Sequence, residues 1–77
     1  MKIYAIYDRL AETYTAPFIL EERVAQRTFE WMKKDASEQQ RADREIRELG
    51  EWSEKESFTQ INEPKKVFEL AEEKKND

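Results

Sequence analysis

The side chains that most often carry out chemistry are scarce in this sequence. Its 77 residues include no histidine and no cysteine, which removes the usual general base, the commonest metal ligand and any thiolate or disulfide. Carboxylates remain. Glu21 with Glu22, Glu54 with Glu56, and Glu72 with Glu73 stand close together, but helix-end electrostatics or an exposed turn account for each pair, and no inward apolar setting is visible to raise a carboxyl pKa. No phosphate-binding loop, zinc spacing or nucleophile motif occurs. We therefore expect a protein that is not an enzyme and uses no metal or cofactor.

Two other groups of residues point to binding. Nine residues are aromatic, and Tyr4, Tyr7, Tyr14, Phe18, Trp52 and Phe58 are spaced to share a sheet. A sheet face of aromatics rimmed by Arg and Lys stacks single-stranded bases without reading their sequence. The same aromatics also fit a core with a self-association surface, for which Tyr4, Ile6, Trp52 and Phe58 are the candidates. Between Arg23 and Arg47 lie seven basic residues against five acidic ones. Arg23, Arg27, Lys33, Lys34, Arg41, Arg44 and Arg47, with Tyr4 and Tyr14, are the candidate nucleic-acid contacts. The run reads equally as the solvated face of a helix followed by a loop. The net charge of the chain is −4, which does not favour tight, sequence-blind binding to a phosphate backbone. The excess of acid lies after Glu48, so the molecule is expected to have a basic side and an acidic end.

The elements that position these residues can be read in turn. Lys2 to Asp8 alternates as a strand that is apolar or aromatic on both faces, with Ile3, Ala5 and Tyr7 on one side and Tyr4 and Ile6 on the other. Such a strand needs two covers. The small Ala5 favours close helix packing on its own side, leaving Tyr4 and Ile6 for a partner. Thr13 to Leu20 is an extended segment in which Pro17 implies an edge, a bulge or a break. Glu21 to Lys34 is the clearest helix: Val24, Ala25, Thr28, Phe29 and Met32 recur at helical spacing, Trp31 lies at the edge of the stripe, and Lys33 and Lys34 suit the C-terminal end. Asp35 to Asp43 is polar and reads as a solvated connection, although propensity alone allows more helix.

Residues 41–49 form either a charged helix ended by Gly50 or part of a strand, 45–52, pairing with 57–61 across the turn 53–56. In the strand, glycine would mark a bulge or the close approach of another backbone. Asn62 and Pro64 suit the start of a short C-terminal helix bearing Val67, Phe68, Leu70 and Ala71, with residues 71–77 a frayed tail. The chain is thus one domain over residues 1–77. At this size a single core contributes only a few kcal/mol. No apolar run approaches the roughly 20 residues that span a bilayer, and no signal-peptide pattern is present. A soluble, intracellular protein that does not engage a membrane is expected.

Several of these residues carry a family likeness. The opening Met1-Lys2-Ile3-Tyr4-Ala5-Ile6-Tyr7-Asp8, the Ala16-Pro17-Phe18 segment, Arg27-Thr28-Phe29, Glu48-Leu49-Gly50-Glu51-Trp52 and Glu63-Pro64-Lys65 with Val67 occur in that order. Together they resemble the small nonstructural protein of gokushovirus-type microviruses, which are single-stranded DNA bacteriophages. The resemblance covers nearly the whole chain. Relatives commonly have a His-Pro-containing acidic stretch where this chain has Ser37 to Arg44, and an aromatic residue in place of Arg47. The resemblance implies a nonstructural, DNA-binding role in the host cytoplasm, in the switch to single-strand synthesis and in genome packaging. Its implied partners are single-stranded DNA and phage or host replication and packaging proteins. It also favours strand for 45–52. The architecture expected is α+β: a small antiparallel ββαββ sheet covered on one face by the helix, with the short C-terminal helix, assembled as a homodimer or larger oligomer. The alternative is a homo-oligomeric module that regulates a replication protein without touching DNA.

Overall fold

The computed structural model describes residues 1–71, and of Asn62 only the backbone. The alternating opening stretch forms β1 (Lys2–Asp8), which pairs antiparallel along its whole length with β4 (Arg44–Ser53), from Lys2 opposite Glu51 to Asp8 opposite Arg44. The other edge of β1 carries two short strands. β2 (Thr13–Tyr14) sets Tyr14 against Tyr7, and β3 (Phe18–Leu20) sets Phe18 against Tyr4. Between them the chain leaves the ladder at 15–17, where Pro17 has no N–H to give. β5 (Ser57–Glu69) follows β4 through a turn at 54–56 and closes the far side, so the sheet runs β2 and β3, β1, β4, β5.

α1 (Glu22–Asp35) lies on one face of this sheet. Ala25 and Phe29, one turn apart, are its buried residues, with Met32 half-buried a turn further on. Glu22 and the pair Lys33 and Lys34 complement the two ends of the helix dipole. A second, four-residue helix, α2 (Glu38–Arg41), begins at a capping box: Ser37 Oγ accepts from Gln40 N, and Gln40 Oε1 accepts from Ser37 N. The polar connection is therefore partly helical. Glu30 and Lys34, spaced for an ion pair on α1, do not close one among the described residues.

The core is Tyr4, Ala25, Phe29, Ile46 and Leu70, edged by Ile6, Phe18, Leu20, Met32, Val67 and Phe68. Phe29 sits at its centre. Its ring meets Tyr4 edge-on at 4.9 Å and Phe68 at 5.6 Å. The helix thus covers the Tyr4 and Ile6 side of β1, the reverse of the assignment that Ala5 suggested. Tyr4 and Ile6 present the larger surface, and that surface is what α1 buries.

The expected C-terminal helix is absent as well. Residues 57–69 form one strand, and Val67, Phe68 and Leu70 reach the core from it. Register shifts at Ile46/Arg47 and between Glu48 and Gly50 accommodate the extra residues of β5, and Pro64 falls inside the longer one. The fold is therefore mixed α and β, with an antiparallel sheet and one main helix, but the second extended segment is split in two and the last element is strand. The Asn62 side chain and the tail from Glu72 lie outside the described residues. Within those residues no helix is long and apolar enough to cross a membrane.

Candidate functional site

Cross-strand partners share a face of a sheet, so the side opposite α1 carries Ile3, Ala5 and Tyr7 of β1 with Glu45 and Arg47 of β4. At one end of this open face the charges form a chain. Arg9 Nη1 donates to Glu45 Oε1 at 2.8 Å and to Glu69 Oε1 at 2.9 Å, Arg47 Nε donates to Glu45 Oε2 at 2.7 Å, and Lys66 Nζ donates to Glu69 Oε1 at 2.8 Å. Glu45 is only 4% exposed. Burial alone would raise its pKa, but the Arg9 and Arg47 hydrogen bonds outweigh that and hold it low. Glu69 behaves alike: burial pushes it up, while Lys66, Arg9 and the Ala71 N–H bring it down to about 2. The Arg47 guanidinium also lies 3.8 Å over the Tyr7 ring and donates to the Tyr14 hydroxyl at 3.0 Å. With Tyr7 and Tyr14 4.7 Å apart, this end of the face is occupied by its own contacts.

The other end is apolar. Ile3, Pro17, Ile19, Leu49, Trp52 and Phe58 line an open groove of about 340 Å³. Ile3 is buried at its base, while Ile19, Trp52 and Phe58 remain 42%, 39% and 48% exposed. Gly50 makes this end possible. Its Cα side faces the Thr59 carbonyl so closely that a Cβ would collide with it, so the glycine in the strand marks both a register shift and a close backbone approach.

On the helix side a second surface stands out. Trp31 is 64% exposed. It lines a cleft of about 270 Å³ floored by Ile6, Met32 and Leu70, with Gln40 and Arg44 at its rim. Arg27 and Lys34, one turn before and after Trp31 on α1, make no ion pair among the described residues. Arg44 is held in place: Nη1 donates to Gln40 O at 2.8 Å, and Nε lies 3.6 Å from Asp8 Oδ2.

The candidate nucleic-acid residues are therefore not gathered in one place. Arg23, Arg27, Lys33 and Lys34 ride on α1, with Arg23 paired to Glu21 at 3.0 Å. Arg41 ends α2, Arg44 opens β4 beside the helix, and Arg47 is on the open face with Tyr14. Tyr4 cannot stack a base or face another subunit from where it sits, because it is 3% exposed beneath Phe29. Ile6 is likewise under the helix, apart from Trp52 and Phe58.

Among proteins of known families, a model described as Phage ORF5 protein matches residues 1–73. The chain belongs to the phage ORF5 protein family. No curated protein and no solved structure gives a significant match.

In this phage ORF5 protein the sequence reading missed two features. The apolar spacing sets Trp31 at the edge of the stripe, yet it is two residues from Phe29, about 200° around the helix at 100° per residue. The helical wheel alone puts it outward. The Arg9–Glu45–Glu69 chain had no comparable signal, since it joins residues up to 60 positions apart. Among the described residues, no group of three or more His, Cys, Asp or Glu is placed to hold a metal ion.

Proposed function

We propose that this phage ORF5 protein is a non-catalytic accessory protein of gokushovirus-type microviruses. In this reading it binds single-stranded DNA in the host cytoplasm, in the switch to single-strand synthesis and in genome packaging. The observation that carries the reading is the exposed Trp31 on the outer side of α1, with the cations Arg27 and Lys34, which make no ion pair among the described residues, a turn away on either side. A base has a π-face for the indole, and its phosphates have cations within reach. Acidic neighbours Glu30 and Asp35 keep the local charge small, so affinity is modest and salt-sensitive. With about three phosphates neutralised, by Arg27, Lys34 and Arg44, the slope of log Kobs against log salt is about −2. Fluorescence anisotropy of a labelled oligothymidine gives that slope, and Arg27→Glu with Lys34→Glu weakens binding at least tenfold. No binding at low salt refutes the reading.

The apolar groove of Ile3, Ile19, Trp52 and Phe58 favours a second reading, a homo-oligomeric module that regulates a phage or host replication protein without DNA contact. On that reading light scattering gives a mass at least twice the 9.3 kDa of the chain, and Phe58→Ser returns it to the monomer. A monomer at high micromolar concentration rules it out.

A further inference from the structure

Trp31 does not merely project from the helix. With Asp35 it forms a wall common to two depressions: the cleft of about 270 Å³ and another of about 330 Å³ that Lys34 completes. Each has the space of roughly ten waters at about 30 Å³ apiece, which admits a planar ring system but not a folded segment. We infer that Trp31 is a stacking post that holds two successive bases of a single strand, one in each depression, an inference that rests on the DNA-binding reading above.

The chemistry of the cleft's lining fits a base rather than a phosphate, and the second depression offers the same indole and carboxylate beside the Lys34 ammonium. The floor of the cleft is apolar, from Ile6, Met32 and Leu70, and the shared wall offers the Asp35 carboxylate. A carboxylate repels phosphate and accepts from a base N–H, and every DNA base has either an imide or an exocyclic amine to give. Lys34 lines the second depression beside Asp35 and Arg44 lines the rim of the cleft, while Arg27 stands a turn back along α1. Bases inward on the indole with phosphates outward on those cations is the arrangement of sequence-tolerant single-strand binding. A duplex hides its base faces in its own stack, so this post selects single strands.

The test uses the full chain with Trp52→Phe, which leaves Trp31 as the sole indole. Titration with an eight-residue oligothymidine quenches its emission at saturation. In the wild-type background Trp31→Ala lowers single-strand affinity by roughly ten- to thirtyfold, from the loss of base–aromatic stacking, while Trp31→Phe retains most of it. A duplex of the same length binds more weakly than the single strand. If Trp52→Phe does not fold, the Trp31 indole N–H signal in the wild-type NMR spectrum serves instead and shifts on titration. Unchanged affinity in Trp31→Ala with no quenching, or duplex binding equal to single-strand binding, overturns the stacking post and leaves DNA binding intact. Absence of any anisotropy change with the wild type removes the DNA-binding reading itself.

Discussion

Gly50→Ala tests how the long hairpin is held together. Gly50 pairs with Ile3 on one side and Gln60 on the other, and an added methyl would strike the Thr59 carbonyl oxygen and meet Phe58 Cε2 at 3.0 Å. The phenyl ring can turn aside. The carbonyl is main chain, so β4 and β5 must part, which sacrifices two or three hydrogen bonds around the Gly50/Gln60 and Glu51/Thr59 pairs at about 1 kcal/mol each. Alanine recovers about 0.5–1 kcal/mol over glycine in a strand. The net loss is about 2 kcal/mol, or a fall in Tm of about 8–16 °C for a domain of this size. Thermal unfolding followed by circular dichroism gives the shift, and hydrogen exchange locates it at the Glu51 and Thr59 amides. Thr59→Ala, at an exposed position, is the control and stays within about 0.5 kcal/mol. A Gly50→Ala protein with a Tm within about 3 °C of wild type and full protection at those amides refutes the close-approach account.

Other outcomes follow from the same contacts. Glu69 titrates at about 2 in the folded chain against an ordinary 4.5; its folded pKa is depressed, so its stabilisation is complete above about pH 4.5 and is lost as the pH falls toward 2. Discounted for a side chain 28% exposed, that is about 1–2 kcal/mol, readable as a fall in urea midpoint between pH 5 and 2.5 that is smaller in Arg9→Met. Glu45→Gln keeps the shape but leaves the Arg9 and Arg47 guanidiniums together without their shared anion, and urea unfolding at pH 7 shows a loss of about 2 kcal/mol or more. Ser57, at the end of the hairpin turn, has φ 56°, a left-handed conformation that costs a serine about 1 kcal/mol. Ser57→Gly therefore raises the Tm by a few degrees.

The helix α1 and the turn at 54–56 were legible because each rests on local pattern. Strand over 45–52 is favoured by the family likeness, and its expected pairing with 57–61 holds only at the hairpin end, from Gly50 opposite Gln60 to Ser53 opposite Ser57, while Glu45 to Glu48 pair with Lys65 to Glu69. The pairing of the last strand was not legible. Val67, Phe68, Leu70 and Ala71 have the spacing of a helix face, yet the pairing runs Ile46 with Phe68 and Arg47 with Lys66, so Val67 is an inserted residue. A bulge turns two adjacent side chains toward the same side, and both Val67 and Phe68 reach the core. Period two with a slip thereby imitates period 3.6, and no local rule separates them. The candidate site was legible in its parts and not in their assembly. Seven cations within 25 residues read as one surface, whereas the alternation of β4 sends Arg44 and Arg47 to opposite sides of the sheet.

The demand for a second cover on β1 is met largely from within. Ile3 is 6% exposed and Ala5 is fully buried on the face that α1 does not reach. Ile3 lies at the base of a groove walled by Pro17, Ile19, Leu49, Trp52 and Phe58, and further along the face Arg47 spans Tyr7 and Tyr14. The surface left over is therefore the rim of that groove, contributed by Pro17, by Ile19 of β3 and by the hairpin end, and not by the opening strand. Trp31 and its cations stand on the other layer, above α1. The two exposed apolar features thus do not compete for one ligand. A subunit seated on the groove would leave the α1 side of both copies open, and two Trp31 posts facing outward would let a long single strand engage both, where a chain of eight nucleotides engages one.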